Sequence, residues 1–283
     1  MSEPEAGIHV MPMQEYIMLR GLSSGTAHRL LSQSPAHARY SKHEESAAMD
    51  FGSLAHKVLL EDTEEGLLIV EADDWRTKAA KELRDNARER GKIPVLAKQM
   101  PTVRAMVKVA REFIAQSEIP DAFKNGAPEL TIAWQDGETW CKARPDWLNL
   151  TDGIMLHYKT TQGSAKPEVF IRNQFVPMGY DLAAAFYERG LSAVGKTAMT
   201  VFLVQEVYEP FACSLVGLSP AMADIADSKV SRALTIWQEC KKTGVWPAYL
   251  PRIHYAEPMP WHLAESEEKR TESEVDQWLG GQA

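Results

Sequence analysis

The chain has 283 residues, 45% of them hydrophobic, a net charge of −8 at pH 7 and three cysteines. This length and hydrophobic content predict one elaborated α/β domain with a sizeable core, and they exclude general disorder. The acidic charge argues against a broadly basic nucleic-acid surface and leaves nucleic-acid binding to a local groove or an assembled channel. The cysteines lack CxxC spacing, so neither a disulfide framework, a thiolate zinc site nor a four-cysteine iron–sulfur cluster is indicated.

The first residues predict an arm rather than a targeting signal. Met1-Ser2-Glu3-Pro4-Glu5 lacks the basic and apolar regions of a signal peptide, and no run of about twenty apolar residues follows anywhere in the chain. A cytoplasmic protein without a membrane segment is therefore expected. Residues 1–20 are predicted to be a flexible N-terminal arm.

Helices are predicted next. A serine cap opens a helix over about 25–33, which ends at Ser34-Pro35. A second helix, over about 47–61, has an apolar face with His56 beside it. On its own, a histidine in such a helix is more often a satisfied core or surface residue than a metal ligand.

The segment 73–92 is highly charged and helix-forming, with both signs intermixed. One interpretation is a solvated helix that i,i+4 ion pairs stabilise. The other is a basic face along DNA phosphates, although acidic residues dilute its field. The first interpretation is favoured. A further amphipathic helix is predicted over 98–116.

A strand over 129–134, a turn at Asp136-Gly137 and a partner strand beginning at Thr139 follow. The residues 139–150 are β-rich, Thr151-Asp152-Gly153 has turn chemistry, and 154–159 predicts another strand. Together these segments predict a three-stranded meander that ends in a tight hairpin.

The hairpin places chemically active side chains together. Asp146 and His157 should lie roughly opposite each other, and His157 and Lys159 share one strand face because side chains alternate. Phosphodiester hydrolysis uses carboxylates that hold one or two divalent cations and a lysine that stabilises the nucleophile or transition state. Taken alone, this motif is a weak signal.

A helix is predicted over 167–187, closing at Gly190 as a C-terminal cap. Tyr180 and Tyr187 lie seven residues apart and share a face. Packing against the sheet is favoured for Tyr180. For Tyr187, packing and contact with a DNA phosphate both remain open.

Two paired strands are predicted over 197–207 and 211–218, and Ser219-Pro220 opens a long helix. The residues 246–249 are expected to pack on the fold, and 263–283 should be an acidic flexible tail. The fold class is therefore α/β, a mixed central β-sheet with flanking helices.

Several short motifs follow one another in order along the chain: Leu22-Ser23-Ser24-Gly25, Ser34-Pro35-Ala36-His37, Phe51-Gly52-Ser53-Leu54-Ala55-His56-Lys57, Pro128-Glu129-Leu130, Arg144-Pro145-Asp146-Trp147 and Thr243-Gly244-Val245-Trp246-Pro247-Ala248-Tyr249. Together they resemble the exonuclease VIII (RecE-type) nucleases of prophages, members of the PD-(D/E)xK superfamily, over nearly all of residues 20–262.

The resemblance implies a restriction-endonuclease-like core over 21–262 and a set of site residues. The catalytic residues it implies are Lys159, Asp146, Glu129 and His56. The ligands it implies for Mg²⁺, with Mn²⁺ as a substitute, are Asp146, His157, Glu129 and His56. Contacts to DNA are predicted for Tyr187, Arg144 and Thr160. The resemblance further implies 5′→3′ resection of double-stranded DNA ends, a ring-like homo-oligomer and a RecT-type single-strand annealing protein as partner.

Two positions depart from the family pattern. His157 stands where the pattern has Asp or Glu, and Ala183 stands where such nucleases often carry Gln four residues before a tyrosine. Imidazole carries no negative charge and suits Zn, Ni, Cu, Fe or Mn better than Mg. Sharply reduced Mg²⁺-dependent activity with partial rescue by Mn²⁺ is therefore expected, whether His157 is natural or a laboratory substitution. An exodeoxyribonuclease whose activity His157 reduces or abolishes is favoured over the alternative, a catalytically dead DNA-end-binding or partner-binding module.

Overall fold

The computed structural model describes residues 5–41, 47–61 and 63–280. Its contacts divide the chain into two compact units, Met1–Ala248 and Tyr249–Ala283. Within the described residues, the first unit contains three β-sheets with helices around them. No helix among these residues is both long and apolar enough to cross a membrane.

The strands of the first unit run, in chain order, as β1 (Gly7–His9), β2 (Leu67–Val70), β3 (Ile93–Leu96), β4 (Ala127–Pro128), β5 (Thr131–Asp136), β6 (Thr139–Ala143), β7 (Trp147–Asn149), β8 (Ile154–Thr161), β9 (Met199–Glu206) and β10 (Cys213–Gly217). Its α-helices are α1 (Met13–Met18), α2 (Ser24–Ser32), α3 (Pro35–Tyr40), α4 (Ala47–His56), α5 (Lys78–Glu89), α6 (Met100–Ala115), α7 (Pro167–Phe170), α8 (Tyr180–Ala193) and α9 (Pro220–Thr243). Shorter turns extend three of them: a π-helix over Lys57–Glu61, a 3-10 helix over Ala97–Gln99 and a π-helix over Ile171–Phe175.

The central sheet has the strand order β10-β9-β8-β7-β4. Strands β8 and β9 run parallel, and the other neighbouring pairs are antiparallel. This confirms the mixed central sheet with flanking helices. A second, antiparallel sheet has the order β1-β5-β6, and β2 pairs with β3 in parallel.

Apolar layers cover both faces of the central sheet. Leu156 and Tyr158 of β8 belong to the core that includes residues of α4 and α6. Met155, on the other face of the strand, belongs to the core built with α2, α8 and α9. Because side chains alternate, His157 and Lys159 lie on the α8 side of the sheet, as their spacing predicts.

The predicted three-stranded meander is wrong. Trp134 of β5 pairs with Cys141 of β6 in the second sheet, whereas Trp147 of β7 pairs with Leu156 of β8 in the central sheet. The continuous strand expected over 139–150 is interrupted between the two, where proline supplies no N–H for a ladder hydrogen bond. The chain therefore changes sheets at that point.

The helix predicted over 167–187 is also interrupted. Gly179, with a φ of 73°, separates the π-helical turn from α8, and α8 continues through Gly190 to Ala193. Gly190 therefore does not cap the helix. It permits close packing instead, because a Cβ atom there would lie 2.6 Å from Cζ3 of Trp134.

Gly190→Ala is expected to lower the free energy of unfolding by about 1–3 kcal/mol, because Trp134 is buried and cannot move away without displacing its neighbours. Gly25→Ala in α2 is the matched control, since nothing lies within 4 Å of the Cβ position there. That variant should be as stable as the parent or slightly more stable. Urea unfolding of both variants measures the difference, and an unchanged Gly190→Ala midpoint would contradict the close packing.

The N-terminal segment packs against β5 and β6 within the first unit. Strand β1 pairs with the free edge of β5, and the buried Lys142 ammonium group needs acceptors that this segment provides. Three of its carbonyl oxygens accept hydrogen bonds from Lys142 Nζ at 2.7–3.2 Å, those of Tyr16, Ile17 and Leu19. The prediction of a flexible arm over 1–20 is thus corrected for residues 5–20, and 1–4 lie outside the described residues.

The second unit contains the helix α10 (Pro260–Gly280). The flexible tail predicted over 263–283 is therefore helical as far as Gly280, and 281–283 lie outside the described residues. Lys269 pairs with Glu265 at 2.7 Å in the i,i+4 geometry that favours an exposed helix. An acidic, polar composition therefore does not exclude a helix that such local pairs stabilise.

Candidate metal centre

The β7–β8 hairpin brings Asp146 and His157 together. Trp147 pairs with Leu156, so the preceding Asp146 lies opposite His157, as predicted. The backbone N–H of Tyr158 donates to Asp146 Oδ2 at 2.9 Å, which fixes the carboxylate against β8. Lys159 Nζ lies 3.1 Å from the same oxygen and 5.9 Å from the centroid of the Tyr180 ring.

His56, Glu129 and Asp146 converge from three separate parts of the chain. Each offers one potential ligand atom, and these atoms lie within 4.8 Å of one another. His56 Nε2, at the end of α4, is 3.4 Å from Asp146 Oδ2 and 3.5 Å from Glu129 Oε1. All three side chains remain partly exposed, so the cluster is accessible from solvent.

Glu129 belongs to the link between β4 and β5, not to a strand. The predicted strand over 129–134 begins only at Thr131, because Glu129 adopts a φ of 56° where the chain passes from the central sheet to the second sheet. Its N–H donates to the carbonyl oxygen of Asp146 at 3.2 Å. This hydrogen bond joins the link between β4 and β5 to the link between β6 and β7, the two places where the chain passes between the sheets. Such a conformation costs on the order of 1–3 kcal/mol for a residue other than glycine and is found at functional sites.

Arg144 holds the Glu129 carboxylate in place. Its Nε donates to Glu129 Oε2 at 2.5 Å, and its Nη1 donates to the carbonyl oxygen of Met11 and the hydroxyl of Thr131. Only 10% of the Arg144 side chain is exposed. The structure therefore places Arg144 in the protein's own polar network rather than on an open DNA surface.

The other residues predicted to contact DNA are also partly enclosed. Thr160 lies on the opposite sheet face from Lys159 and faces α4. A Cβ atom added at Gly52 of that helix would lie 3.4 Å from the Thr160 hydroxyl oxygen. The hydroxyl of Tyr187 accepts a hydrogen bond from Ser24 Oγ at 3.4 Å. Tyr180 packs against Phe202, as the packing interpretation expected.

His157 lies beside the cluster but outside its ligand group. Its Nδ1 is 3.4 Å from Asp146 Oδ1, and its side chain is 4% exposed. The ring packs between Tyr187, at 4.9 Å between centroids, and Phe202, at 5.1 Å. Its Nε2 is buried without a hydrogen-bond partner among the described residues. His157 was predicted to be a metal ligand, but in this structure it does not join the three residues whose ligand atoms converge.

The charges within the cluster are coupled. Burial alone would raise the pKa of Asp146, but Lys159, His56 and His157 outweigh it and hold that pKa well below its usual range. Burial lowers the pKa of His56, yet the two carboxylates outweigh it and the net pKa is raised. Burial raises the pKa of Glu129 and lowers the pKa of His157, which favours a neutral imidazole.

The residues present fit a divalent cation. Two carboxylates supply the oxygen ligands that Mg²⁺ and Mn²⁺ prefer. The His56 imidazole must lose its proton to bind a metal, and its raised pKa opposes that loss. The Asp146 carboxylate is already ionised, so it needs no deprotonation to bind a metal. Sequence reasoning did not predict that Phe202 stacks on His157. Only the parallel register of β8 and β9, which pairs the two residues, indicates this contact.

A family model and one solved structure agree with this architecture. A family model described as "PDDEXK-like domain of unknown function (DUF3799)" matches residues 24–257. The crystal structure of a "Putative exonuclease" from Eubacterium rectale is similar with a TM-score of 0.54 and 11% identity, covering 90% of this chain and 98% of that one. The structure of SSO0001 matches with a TM-score of only 0.28 and 14% identity, covering 70% of this chain and 96% of that one. No curated protein matches the sequence.

Proposed function

Because the chain belongs to the DUF3799 family of PDDEXK-like domains, we propose that it is a metal-dependent exodeoxyribonuclease that resects linear double-stranded DNA. The observation that carries the proposal is the convergence of His56, Glu129 and Asp146 with a lysine ammonium group 3.1 Å from Asp146. The fold shared with a protein named as an exonuclease adds support.

The site residues have distinct roles in this proposal. His56, Glu129 and Asp146 would hold Mg²⁺ or Mn²⁺, which when bound would activate water and offset charge on the phosphate. Lys159 provides a fixed positive charge next to Asp146, where it stabilises the negative charge that develops on the scissile phosphate. Arg144 acts as a positioning residue, because it orients the Glu129 carboxylate.

The motifs that resemble RecE-type nucleases support a finer proposal. The protein resects DNA ends in the 5′→3′ direction in the cytoplasm, as a ring-shaped homo-oligomer, and leaves a 3′ strand for a RecT-type annealing protein. These properties rest on the resemblance, and none of them follows from the geometry of the metal centre.

One observation favours a second candidate, a DNA-end-binding or partner-binding module without catalysis. His157 occupies the position of an acidic residue in the RecE-type pattern, and its imidazole is buried between two aromatic rings. Asp146 therefore has no second carboxylate opposite it across the hairpin. A site with fewer negative charges binds a hard cation less tightly.

The test compares linear and covalently closed circular duplex DNA, with Mg²⁺, with Mn²⁺ and with a chelator. We expect nucleotide release from the linear substrate only, dependent on metal and stronger in Mn²⁺. Asp146→Asn is the matched control, because it keeps the size and one acceptor oxygen of the side chain but removes its charge, and it should be inactive. Salt-sensitive binding to duplex ends without nucleotide release in either metal would favour the binding module.

A further inference from the structure

A basic and aromatic pocket of about 440 Å³ lies between α3 and the C-terminal end of α9, away from the residues of the metal centre. Its lining includes Thr26, Arg39, Trp237, Lys241 and Trp246. Trp237, Lys241 and Trp246 lie close together in sequence, whereas Thr26 and Arg39 come from the N-terminal part of the chain, so folding completes the cluster.

The cations of the pocket are held against aromatic rings and not against carboxylates. The guanidinium carbon of Arg39 is 5.5 Å from the centroid of the Trp246 ring, and Lys241 Nζ is 5.7 Å from that of Trp237. Arg39 makes one long hydrogen bond, 3.5 Å, to the carbonyl oxygen of Gly244, and within the described part of the chain neither cation has an ion-pair partner. Exposed arginines elsewhere, such as Arg104, do pair with acidic residues.

Local charge therefore differs from that of the whole protein. The chain carries a net charge of −8, yet Arg39, Lys241 and the adjacent Lys242 outnumber Glu239, the acidic residue in the same turn of α9. Basic residues in the last turn of a helix also offset the helix dipole, which accounts for part of this charge. The dipole does not account for the volume of the pocket or for its aromatic lining.

The aromatic rings provide surfaces for stacking. Trp237 and Trp246 meet edge to face, with 5.3 Å between centroids and 79° between planes. The Tyr40 ring, which Arg39 also contacts at 5.6 Å, is 73% exposed. Aromatic faces beside cations are the combination by which proteins bind single-stranded nucleic acid, with bases stacked and phosphates neutralised.

The pocket and the metal centre are connected through the first turn of α2. Ser24 Oγ donates to the hydroxyl of Tyr187, whose ring packs on His157 beside Asp146. Thr26, two residues further along the same turn, lines the pocket. The pocket and the metal centre therefore both involve residues of this turn of α2.

We propose that this pocket binds an unpaired DNA strand, with bases against Trp246 and Tyr40 and phosphates against Arg39 and Lys241. During resection the pocket would hold the strand that is left uncut, and this role rests on the proposed function. The binding itself does not, since it requires neither metal nor hydrolysis.

Fluorescence anisotropy of a labelled oligo(dT), in the presence of a chelator and over a series of salt concentrations, tests the inference. Arg39→Gln and Lys241→Gln should each weaken binding and together flatten the slope of log K against log salt by about 1.4, or about 0.7 for each phosphate that is no longer neutralised. Trp246→Leu should weaken binding about 5- to 150-fold, because a base can no longer stack on the indole ring. Arg104→Gln, at an exposed arginine outside the pocket, is the matched control and should bind as the parent does.

Equal affinity in the double variant and in Arg104→Gln would overturn the inference, as would the absence of oligo(dT) binding by the parent protein. Competition by polyglutamate as effective as by oligo(dT) would also overturn it, because that result shows a general anion site. Since Trp246 contributes to packing, the two charge variants keep the test decisive if Trp246→Leu unfolds. The anisotropy assay contains a chelator and measures binding alone, so a failed nuclease assay leaves this result unaffected.

Discussion

Lys159→Met is expected to reduce DNA hydrolysis about 10²- to 10³-fold while it strengthens metal binding. Burial opposes the charge of Lys159, but Asp146 outweighs it and raises the lysine pKa, so the group is an ammonium ion at neutral pH. This cation lies 3.1 Å from Asp146 Oδ2 and competes with a divalent metal for that oxygen. Methionine removes the competitor, and it also removes the charge that stabilises the reacting phosphate.

Two measurements separate these effects. Calorimetric titration of the metal-free protein with Mn²⁺ gives its affinity for the metal. Nucleotide release from linear duplex DNA at saturating Mn²⁺ gives the rate of hydrolysis. Lys166→Met is the matched control, because that lysine is exposed and contacts no residue of the cluster, and it should change neither quantity. A weaker metal affinity in Lys159→Met would show that the lysine organises the carboxylates instead of competing for them.

The parts of the fold that were predictable are those encoded by short-range patterns. The alternation along β8 placed His157 and Lys159 on one face, and the register confirms Asp146 opposite His157. Local capping chemistry located α2, where Ser23 accepts from the N–H of Thr26, and the start of α9 at Ser219-Pro220. In each case the physical cause lies within a few residues of its effect.

The changes of sheet were not predictable from such patterns. Pro145 marks a break within residues 139–150, but it does not show that the two halves pair with strands of different sheets. Where the chain passes from β4 to β5, Glu129 adopts a positive φ, and its carboxylate comes close to Asp146. Sequence reasoning expected Glu129 on a strand, whereas both carboxylates of the metal centre lie in the links between the sheets.

The role of Arg144 shows why site residues are harder to predict than strands. A basic residue next to Asp146 is equally compatible with a DNA contact and with an internal ion pair. The choice depends on Glu129, Met11 and Thr131, which are distant in sequence and supply its acceptors. Local chemistry thus identified a functional neighbourhood, and tertiary packing assigned the partners.

His157→Asp is expected to destabilise the metal-free protein and to increase its Mg²⁺-dependent activity at least about tenfold, equivalent to about 1.4 kcal/mol of transition-state stabilisation. The smaller side chain no longer reaches Tyr187 and Phe202 and leaves a cavity. Its carboxylate also approaches Asp146, because His157 Nδ1 is now 3.4 Å from Asp146 Oδ1. Together these effects should lower the free energy of unfolding by about 2–4 kcal/mol without metal.

Metal should reverse most of that destabilisation in His157→Asp, since a ligand that binds only the folded state adds about 2.7 kcal/mol at a hundred times its dissociation constant. His157→Asn separates charge from size: it creates a similar cavity without a carboxylate, so it should be destabilised with or without Mg²⁺ and should gain no activity. Urea unfolding with and without Mg²⁺, together with nucleotide release, measures both effects. If Asp and Asn at this position respond identically to Mg²⁺, the neutral imidazole does not limit metal binding, and the catalytic weakness expected of the site must arise elsewhere, with Ala183 the next position to examine.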